Sequence, residues 1–271
     1  EQALNYLRKY FGLNSQVYLD IGTIADDSAF IQLKQQPGWK EVIETAYANN
    51  ARIEPGLNNA LRAELEELYI LDQQIRDMPL LDSLIAEHGF PSGPVSEYLK
   101  KMNAQDLENL NRLRELIPDG SIPGISQVGV KANLAVWLII QHSSTSVQKE
   151  YLEALKASAE AGETKWAYVA ATIDRIMVEE EGVQLYGTQF GVDETGNGYV
   201  KPIEDPQNVN NRRAKVGLIA LEQDVQVKLD AFSDTTFSGT VTSIAALAKN
   251  KQVEEGKKSK IKMKRQARSL R

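Results

Sequence analysis

Residues 130–142, Val-Lys-Ala-Asn-Leu-Ala-Val-Trp-Leu-Ile-Ile-Gln-His, are the most apolar long stretch of the chain and decide its fold. Asn133 interrupts the stretch and Gln141-His142 end it, so it falls short of the ~18 apolar residues of a membrane span. Such a run, closed by polar residues, is typical of a helix in the core of a globular protein. We therefore predict a buried helix over 130–142.

The composition of the 271-residue chain supports a globular fold, because 42% of its residues are hydrophobic and 25% are charged. The absence of cysteine excludes disulfides, thiolate nucleophiles and cysteine-ligated metals. With His88 and His142 as its only histidines and no tight ligand spacing, the sequence predicts neither a metal site nor a cofactor. The glycine-rich stretch at 187–198 lacks the strand-then-helix context of a nucleotide-binding loop.

Apolar residues at helical spacing predict helices on both sides of this core stretch. The longest spans Asn58 to Met78, with a leucine stripe at positions 61, 65, 68 and 71, and Pro79 is expected to break it. Further helices are predicted over 104–117, 147–160 and 163–180, and shorter ones over 1–57. The predicted fold class is therefore mainly α, with a helical domain over 58–221.

The pattern changes after residue 181, where we expect an irregular, partly extended C-terminal extension. Glycine-rich residues 182–200 predict a hairpin or loop, and alternation over 225–244 predicts a small β-hairpin within 222–248. Residues 249–271 carry ten Lys or Arg against two Glu, which is typical of a mobile basic tail. Nucleic acid is not the favoured partner of this tail, because it contains no aromatic residue to stack on bases.

Two ionisable residues fall on predicted apolar helix faces. His142 follows Ala135 by seven residues, and Asp174 occupies a similar position in the last helix. Since a buried carboxylate needs a partner, Arg76 and Arg175 are candidates, and His142 with Asp174 would form a general-base pair. The alternatives are a structural histidine at a helix C-terminus and an ordinary surface pair between Asp72 and Arg76.

Several short motifs in a fixed order carry a resemblance to a known family. They are Leu71-Asp72-Gln73-Gln74-Ile75-Arg76, Asp106-Leu107-Glu108-Asn109-Leu110, Trp137-Leu138-Ile139-Ile140-Gln141-His142, Ala167-Tyr168, Asp174-Arg175, Gln184-Leu185-Tyr186-Gly187-Thr188-Gln189, Pro202-Ile203-Glu204-Asp205-Pro206, Arg212-Arg213 and Val216-Gly217-Leu218. Over about 58–221 the chain resembles an uncharacterised bacterial family with a domain of unknown function. The resemblance implies that the His, Asp-Arg and Tyr-Gly-Thr-Gln positions are its hallmarks, with no activity attached. The family's frequent Gly-Trp-Pro loop is replaced here by Ile122-Pro123-Gly124.

The flanking segments carry weaker resemblances. Residues 1–57 are similar to the short region that caps helical repeats in some family members. Residues 225–249 resemble a β-barrel hairpin of periplasmic adaptor proteins from efflux pumps, although the strands that complete that barrel are not visible. A composite or frameshifted reading frame after Leu221 would explain both a hairpin that lacks its partner strands and the basic tail. These resemblances imply a bacterial protein of the cytoplasm or periplasm and leave that choice open.

Three functions follow as hypotheses. The first is a polar pocket for a small polar or anionic ligand, and the second is a hydrolase in which His142 acts as base with Asp174. The third is a structural or protein-interaction module, in which the same groups form a buried polar network. The predicted ligand-binding residues are Asp72, Gln73, Arg76, Asp106, Asn109, Gln141, Arg175, Tyr186 and Gln189.

Overall fold

The computed structural model describes residues 2–26, 30–192, 198–221, 224–228 and 236–240. Its α-helices are α1 (Gln2–Leu13), α2 (Ile21–Asp26), α3 (Ile31–Lys34), α4 (Trp39–Ile53), α5 (Asn59–Gln74), α6 (Met78–His88), α7 (Gly93–Leu116), α8 (Ile125–His142), α9 (Thr145–Glu160), α10 (Trp166–Glu181) and α11 (Val209–Lys215). Strand β1 (Phe190–Val192) pairs antiparallel with β2 (Gly198–Val200), and β3 (Asp224–Lys228) pairs with β4 (Thr236–Thr240). The predicted fold class, mainly α with a small β-hairpin, is confirmed. The predicted basic tail at 249–271 lies outside the described residues, and the domain bounds at 57 and 221 stay predictions.

Helix α8 contains the predicted apolar stretch and lies at the centre of the main core. Ile140 of α8 belongs to one cluster with Leu65 of α5, Leu113 of α7, Leu155 of α9 and Val169 of α10, all fully buried. Each such aliphatic side chain contributes about 1.5–3 kcal/mol when it leaves water. The periodic apolar faces of the surrounding helices are therefore explained by the helix that they enclose. No helix of the described residues is both long and apolar enough to span a membrane.

An aromatic pair ties α8 to α10. The ring of Trp137 stacks on that of Tyr168 with centroids 4.5 Å apart, and its Nε1 donates to the Tyr168 carbonyl at 3.0 Å. The same Nε1 lies 3.1 Å from Oγ1 of Thr172. The indole N–H is the only donor of this buried side chain. Because it has acceptors, burial of the ring leaves no unpaired polar group. The contact also sets the rotation of α10, which carries Asp174 and Arg175.

Two prolines begin helices instead of ending them, which corrects the predicted boundaries. Pro79 lies in the first turn of α6, where Asp77 accepts a hydrogen bond from the Leu80 amide at 3.0 Å. Pro94 lies in the first turn of α7, which therefore begins at Gly93, well before the predicted start at Ala104. Proline fits a first helical turn because the amide that it lacks would have no partner there. The short helix α11 was also absent from the prediction.

The N-terminal helices form a smaller core of their own. Leu4 and Phe11 of α1 pack with Ile21 of α2 and Val42 of α4, and Val130 of α8 packs against this cluster. The Val130 amide also donates to the Tyr18 carbonyl at 3.1 Å. The N-terminal helices are thus docked on the start of α8.

Gly129 makes this docking possible. Its φ of +79° is a left-handed conformation inside α8, and a Cβ there would lie 3.0 Å from Cδ1 of the Tyr18 ring. A side chain at this position combines backbone strain with a close contact. The helix therefore kinks where the N-terminal unit meets it.

We expect Gly129→Ala to lower the free energy of unfolding by about 2 kcal/mol, because alanine is strained by about 1–2 kcal/mol in this conformation and also presses on Tyr18. Gly56→Ala is the matched control, since no heavy atom lies within 4 Å of its Cβ position and its φ is not left-handed. Urea unfolding followed by circular dichroism measures both variants. Equal stability of the two would contradict this account of the kink.

Candidate functional site

A buried carboxylate, Asp72, lies at the C-terminal end of α5 with its side chain 1% exposed. Its Oδ1 is 2.8 Å from Nδ1 of His142 and 3.0 Å from Nη1 of Arg76. Its Oδ2 accepts a hydrogen bond from Nε2 of Gln73 at 2.8 Å. Arg76 also forms an ion pair with Asp106 of α7, in which its Nη2 is 2.6 Å from Oδ1 of the aspartate. We call Asp72, Gln73, Arg76, Asp106 and His142 the His142 cluster.

The electrostatics of the cluster fix the state of Asp72. Burial alone raises the pKa of this carboxyl, but the hydrogen bond from His142, the charges of His142 and Arg76 and the bond from Gln73 together lower it below its usual 3.8. Asp72 is therefore ionised at neutral pH and acts as an acceptor, so Nδ1 of His142 carries the proton. The imidazole Nε2 has no hydrogen-bond partner among the described residues. With the His142 side chain 21% exposed, Nε2 is available to a ligand.

Arg175 of α10 lies beside this cluster. Its Nη1 donates to the carbonyl of Gln141 at 3.0 Å, which is the residue before His142. Burial lowers the pKa of Arg175 and the charge of Arg76 lowers it further, while Glu179 acts in the opposite direction. Within the described part of the chain Arg175 makes no salt bridge. A partly buried guanidinium with a second one nearby and no carboxylate in contact is a favourable place for an anion.

The Gln141 side chain is held between α8 and α10. Its Oε1 accepts from Oγ1 of Thr172 at 3.0 Å, and its Nε2 lies 3.5 Å from the Ala171 carbonyl. Its own carbonyl accepts from both Arg175 and Nε2 of Gln148, the latter at 3.1 Å. Gln141 therefore positions the end of α8, and its role in ligand binding stays a prediction.

Asp174 is fully buried, and the segment that follows α10 saturates its carboxylate. Oδ1 accepts from the amides of Leu185 and Tyr186 at 2.8 and 2.9 Å. Oδ2 accepts from the amide and Oγ1 of Thr188 at 2.9 and 2.8 Å. The partners of Asp174 are therefore backbone and hydroxyl groups, and Arg76 and Arg175, which the sequence suggested, bind elsewhere. The hydrogen-bonded partner of His142 is Asp72.

The segment around Asp174 is closed by a second set of hydrogen bonds. Gln184 is fully buried, and its Oε1 accepts from the Gln189 amide at 2.7 Å while its Nε2 donates to the Lys201 carbonyl at 2.9 Å. Buried Arg213 of α11 donates to the carbonyl of Tyr186, and Nε2 of Gln189 reaches the Ala171 carbonyl at 3.3 Å. We call Asp174, Gln184, Thr188, Gln189 and Arg213 the Asp174 cluster.

The predicted site residues thus divide between two places. Asp72, Gln73, Arg76, Asp106 and His142 meet in one cluster, with Gln141 and Arg175 beside it, whereas Asp174, Tyr186 and Gln189 hold the segment after α10. Asn109 stands apart in α7: it is buried, its Oδ1 accepts from Nε2 of Gln105 at 2.9 Å, and no described residue is a hydrogen-bond partner of its Nδ2. The described residues contain no group of three or more His, Cys, Asp or Glu placed to hold a metal ion.

Three residues of the Asp174 cluster, Gln184, Thr188 and Arg213, were absent from the predicted set. Gln184 and Arg213 both belong to motifs that carried the family resemblance, yet neither lies on a regular amphipathic helix that would mark it as buried. Their environment arises from loop carbonyls, which leave no periodic signal in the sequence. The Gly-Thr turn between Tyr186 and Gln189 was the available sign of a tight, hydrogen-bonded loop.

Comparison with known families identifies the region that contains both clusters. Residues 59–235 match the family model of a family of unknown function, DUF6624. The chain belongs to this family. The matched region extends past Leu221, where a composite reading frame would place its break, and it includes β3. No curated protein and no solved structure matches the chain. Membership in DUF6624 therefore supplies no activity.

We expect Asp174→Asn to lower the free energy of unfolding by about 3 kcal/mol. The NH₂ group of asparagine would face N–H and O–H donors from which the carboxylate oxygens accept hydrogen bonds, and hydrogen bonds to charged groups contribute ~1.5–3 kcal/mol. Thr188→Val removes one of these bonds and should cost about 1 kcal/mol. Asp82→Asn, at an exposed position of α6, is the control and should be nearly neutral. Chemical denaturation measures all three, and an unchanged Asp174→Asn would disprove this structural role.

Proposed function

We propose that this DUF6624 domain binds a small anionic ligand at a site formed by Arg175, Arg76 and Nε2 of His142. The observation that carries the proposal is Arg175, a partly buried guanidinium without a salt bridge in the described part of the chain. Placing two guanidinium groups near each other costs free energy that a bound anion recovers. The geometry of such an anion site favours a carboxylate or phosphate group, which a guanidinium contacts with paired N–H donors.

His142 supplies the second element of the proposed site. Because Asp72 holds Nδ1, the ring is fixed in position and presents Nε2 as its remaining polar group. When protonated, Nε2 donates to an anion, and when neutral it accepts a proton from the ligand. Asp106 keeps Arg76 in place across α5 and α7, so the cationic groups are ordered before a ligand binds.

The other predicted ligand-binding residues support this site indirectly in the proposal. Gln73 and Gln141 orient Asp72 and the end of α8, and the Asp174 cluster with Tyr186 anchors the helix that carries Arg175. The bacterial origin, the motif roles and the likeness of 225–249 to an efflux-adaptor hairpin remain hypotheses. The pairing of β3 with β4 is compatible with the last of these.

The proposal is tested by titrating the protein with inorganic phosphate and, separately, with acetate, while the His142 ring signals are followed by NMR. We expect Arg175→Gln to raise the dissociation constant roughly tenfold or more, because a charged hydrogen bond contributes ~1.5–3 kcal/mol and tenfold corresponds to 1.4 kcal/mol. Glutamine keeps a donor for the Gln141 carbonyl, so the fold should be preserved.

Arg114→Gln is the matched control, since it removes the same charge from an exposed arginine that pairs with Glu150 at 2.7 Å. We expect no more than a small change in anion affinity for this variant, through general screening. An equal loss in both variants would show that net charge alone attracts the anion. Absence of a His142 response to both anions would refute the site.

A hydrolase is the second candidate, favoured by the Nδ1 to Oδ1 distance of 2.8 Å between His142 and Asp72. In this arrangement Nε2 would take a proton from a water molecule whose oxygen attacks an anionic ester held by Arg175. The ester bond to the alcohol then breaks, and the proton passes from Nε2 to the leaving alkoxide, with Asp72 in the orienting role first assigned to Asp174. We expect any turnover of phosphate or carboxylate esters to fall about 100-fold in His142→Gln, because general-base catalysis contributes ~10²–10⁴-fold. Hydrolysis that survives this change would exclude His142 as base.

A further inference from the structure

A groove between α5 and α7 lies next to the Arg76–Asp106 ion pair of the proposed anion site. At one end Nη2 of Arg112 is 2.6 Å from Oε2 of Glu64, and at the other Nη2 of Arg76 is 2.6 Å from Oδ1 of Asp106. Both ion pairs cross from one helix to the other. Between them the groove has a volume of about 440 Å³.

The lining of the groove includes three leucines together with polar and charged residues. Leu68 is buried, whereas Leu71 is 36% exposed and Leu107 is 60% exposed. Ala104 completes the wall on the side of α7. Leucines that face an indentation bounded by ion pairs form a concave apolar surface, which differs from a single exposed leucine on a convex helix.

Asn109 gives the groove a polar feature that the fold does not use. It is part of the lining, it is 1% exposed, and its Nδ2 has no hydrogen-bond partner among the described residues. Within that part of the chain, its side chain makes one hydrogen bond, which Oδ1 accepts from Gln105. A buried donor without an acceptor destabilises a protein, so native structures retain few of them. An acceptor brought by a ligand would remove this deficit.

The charges around the groove are unequal. Arg112 is shared between Glu64 and Glu115, with its Nη1 2.9 Å from Oε2 of the latter. Glu108 also lines the groove. Two carboxylates therefore contact one guanidinium, Glu108 adds a third carboxylate to this side, and the groove favours a ligand that carries positive charge beside its apolar groups.

We propose that this groove binds a short extended segment of a partner protein in which apolar side chains alternate with Lys or Arg. The apolar side chains would lie on Leu68, Leu71 and Leu107, and a backbone carbonyl would accept from Nδ2 of Asn109. An extended chain fits because its carbonyls are free and its alternate side chains share one face, whereas a helix uses its own carbonyls internally. Because one side of the groove is open to solvent, we expect the rest of the partner protein to cover the bound segment on that side.

The test is an NMR titration of the full ¹⁵N-labelled chain with the acetylated and amidated peptide Lys-Leu-Lys-Leu-Lys. We expect shifts of the Asn109 side-chain amide and of residues along the groove. Replacing the peptide's Leu by Ser, or its Lys by Glu, should weaken binding at least about tenfold. Leu107→Ser in the protein should have the same effect, whereas Leu80→Ser, at the 46% exposed leucine of α6, should leave affinity unchanged.

Asn109→Leu separates a binding role from a structural one. Because it removes an unpartnered buried donor, it should raise Tm by about 2 °C while weakening peptide binding at least about tenfold. A lower Tm together with unchanged binding would overturn the role given to Asn109. Absence of any peptide effect, equal binding of the Glu peptide, or equal binding of free N-acetyl-leucinamide would overturn the proposal as stated. Phosphate titration of Leu107→Ser should match the parent protein, which distinguishes failure here from failure of the anion site.

Discussion

The ionised carboxylate of Asp72 imposes the main constraint on this structure, because it is buried beside an apolar helical core. An isolated buried charge costs several kcal/mol, so the fold must bring cationic or hydrogen-bonding groups to it. Arg76 supplies one from the following turn of chain, and His142 supplies the other from the end of α8. Asp106 then draws α7 to the same point through Arg76. The relative positions of three helices are therefore tied to a single side chain.

Asp72 and Asp174 are both buried, but they differ in how completely the polar groups around them are paired. Asp174 accepts hydrogen bonds from Leu185, Tyr186 and Thr188, and every group in that arrangement is paired. Around Asp72, by contrast, the described residues leave Nε2 of His142 without a hydrogen-bond partner and neighbouring Arg175 without a salt bridge. Complete pairing is typical of a structural network, whereas unpaired polar groups in a partly exposed place are typical of a site. The proposed function therefore rests on the surroundings of Asp72.

Local patterns made much of the helical fold predictable. The apolar run at 130–142 and the leucine stripe after Asn58 both lie in the predicted core helices, because burial of one face leaves a period in the sequence. Helix α6 was missed since Pro79 was taken as an end, although proline at a first turn is equally a beginning. The paired strands after residue 181 followed from alternation and turn residues.

Sequence patterns could not predict which residues pair with each other inside the site. Asp72 and His142 are separated by 70 residues, and their contact depends on how α5 packs against α8. Helix periodicity identified His142 and Asp174 as unusual polar residues, but it carries no information on which helix faces which. The same limit applies to Arg213, whose acceptors are loop carbonyls.

The described residues between Gln184 and Leu221 are joined to α10 by hydrogen bonds to Asp174, and Arg212 and Arg213 close the segment on itself by donating to the carbonyls of Leu185 and Tyr186. The carboxylate that anchors the segment belongs to Asp174 of α10, so the anchor depends on that helix being folded. Breaking the bonds to Asp174 would free the start of the extension while the helices stay folded, so the extension is placed to open as a local unit.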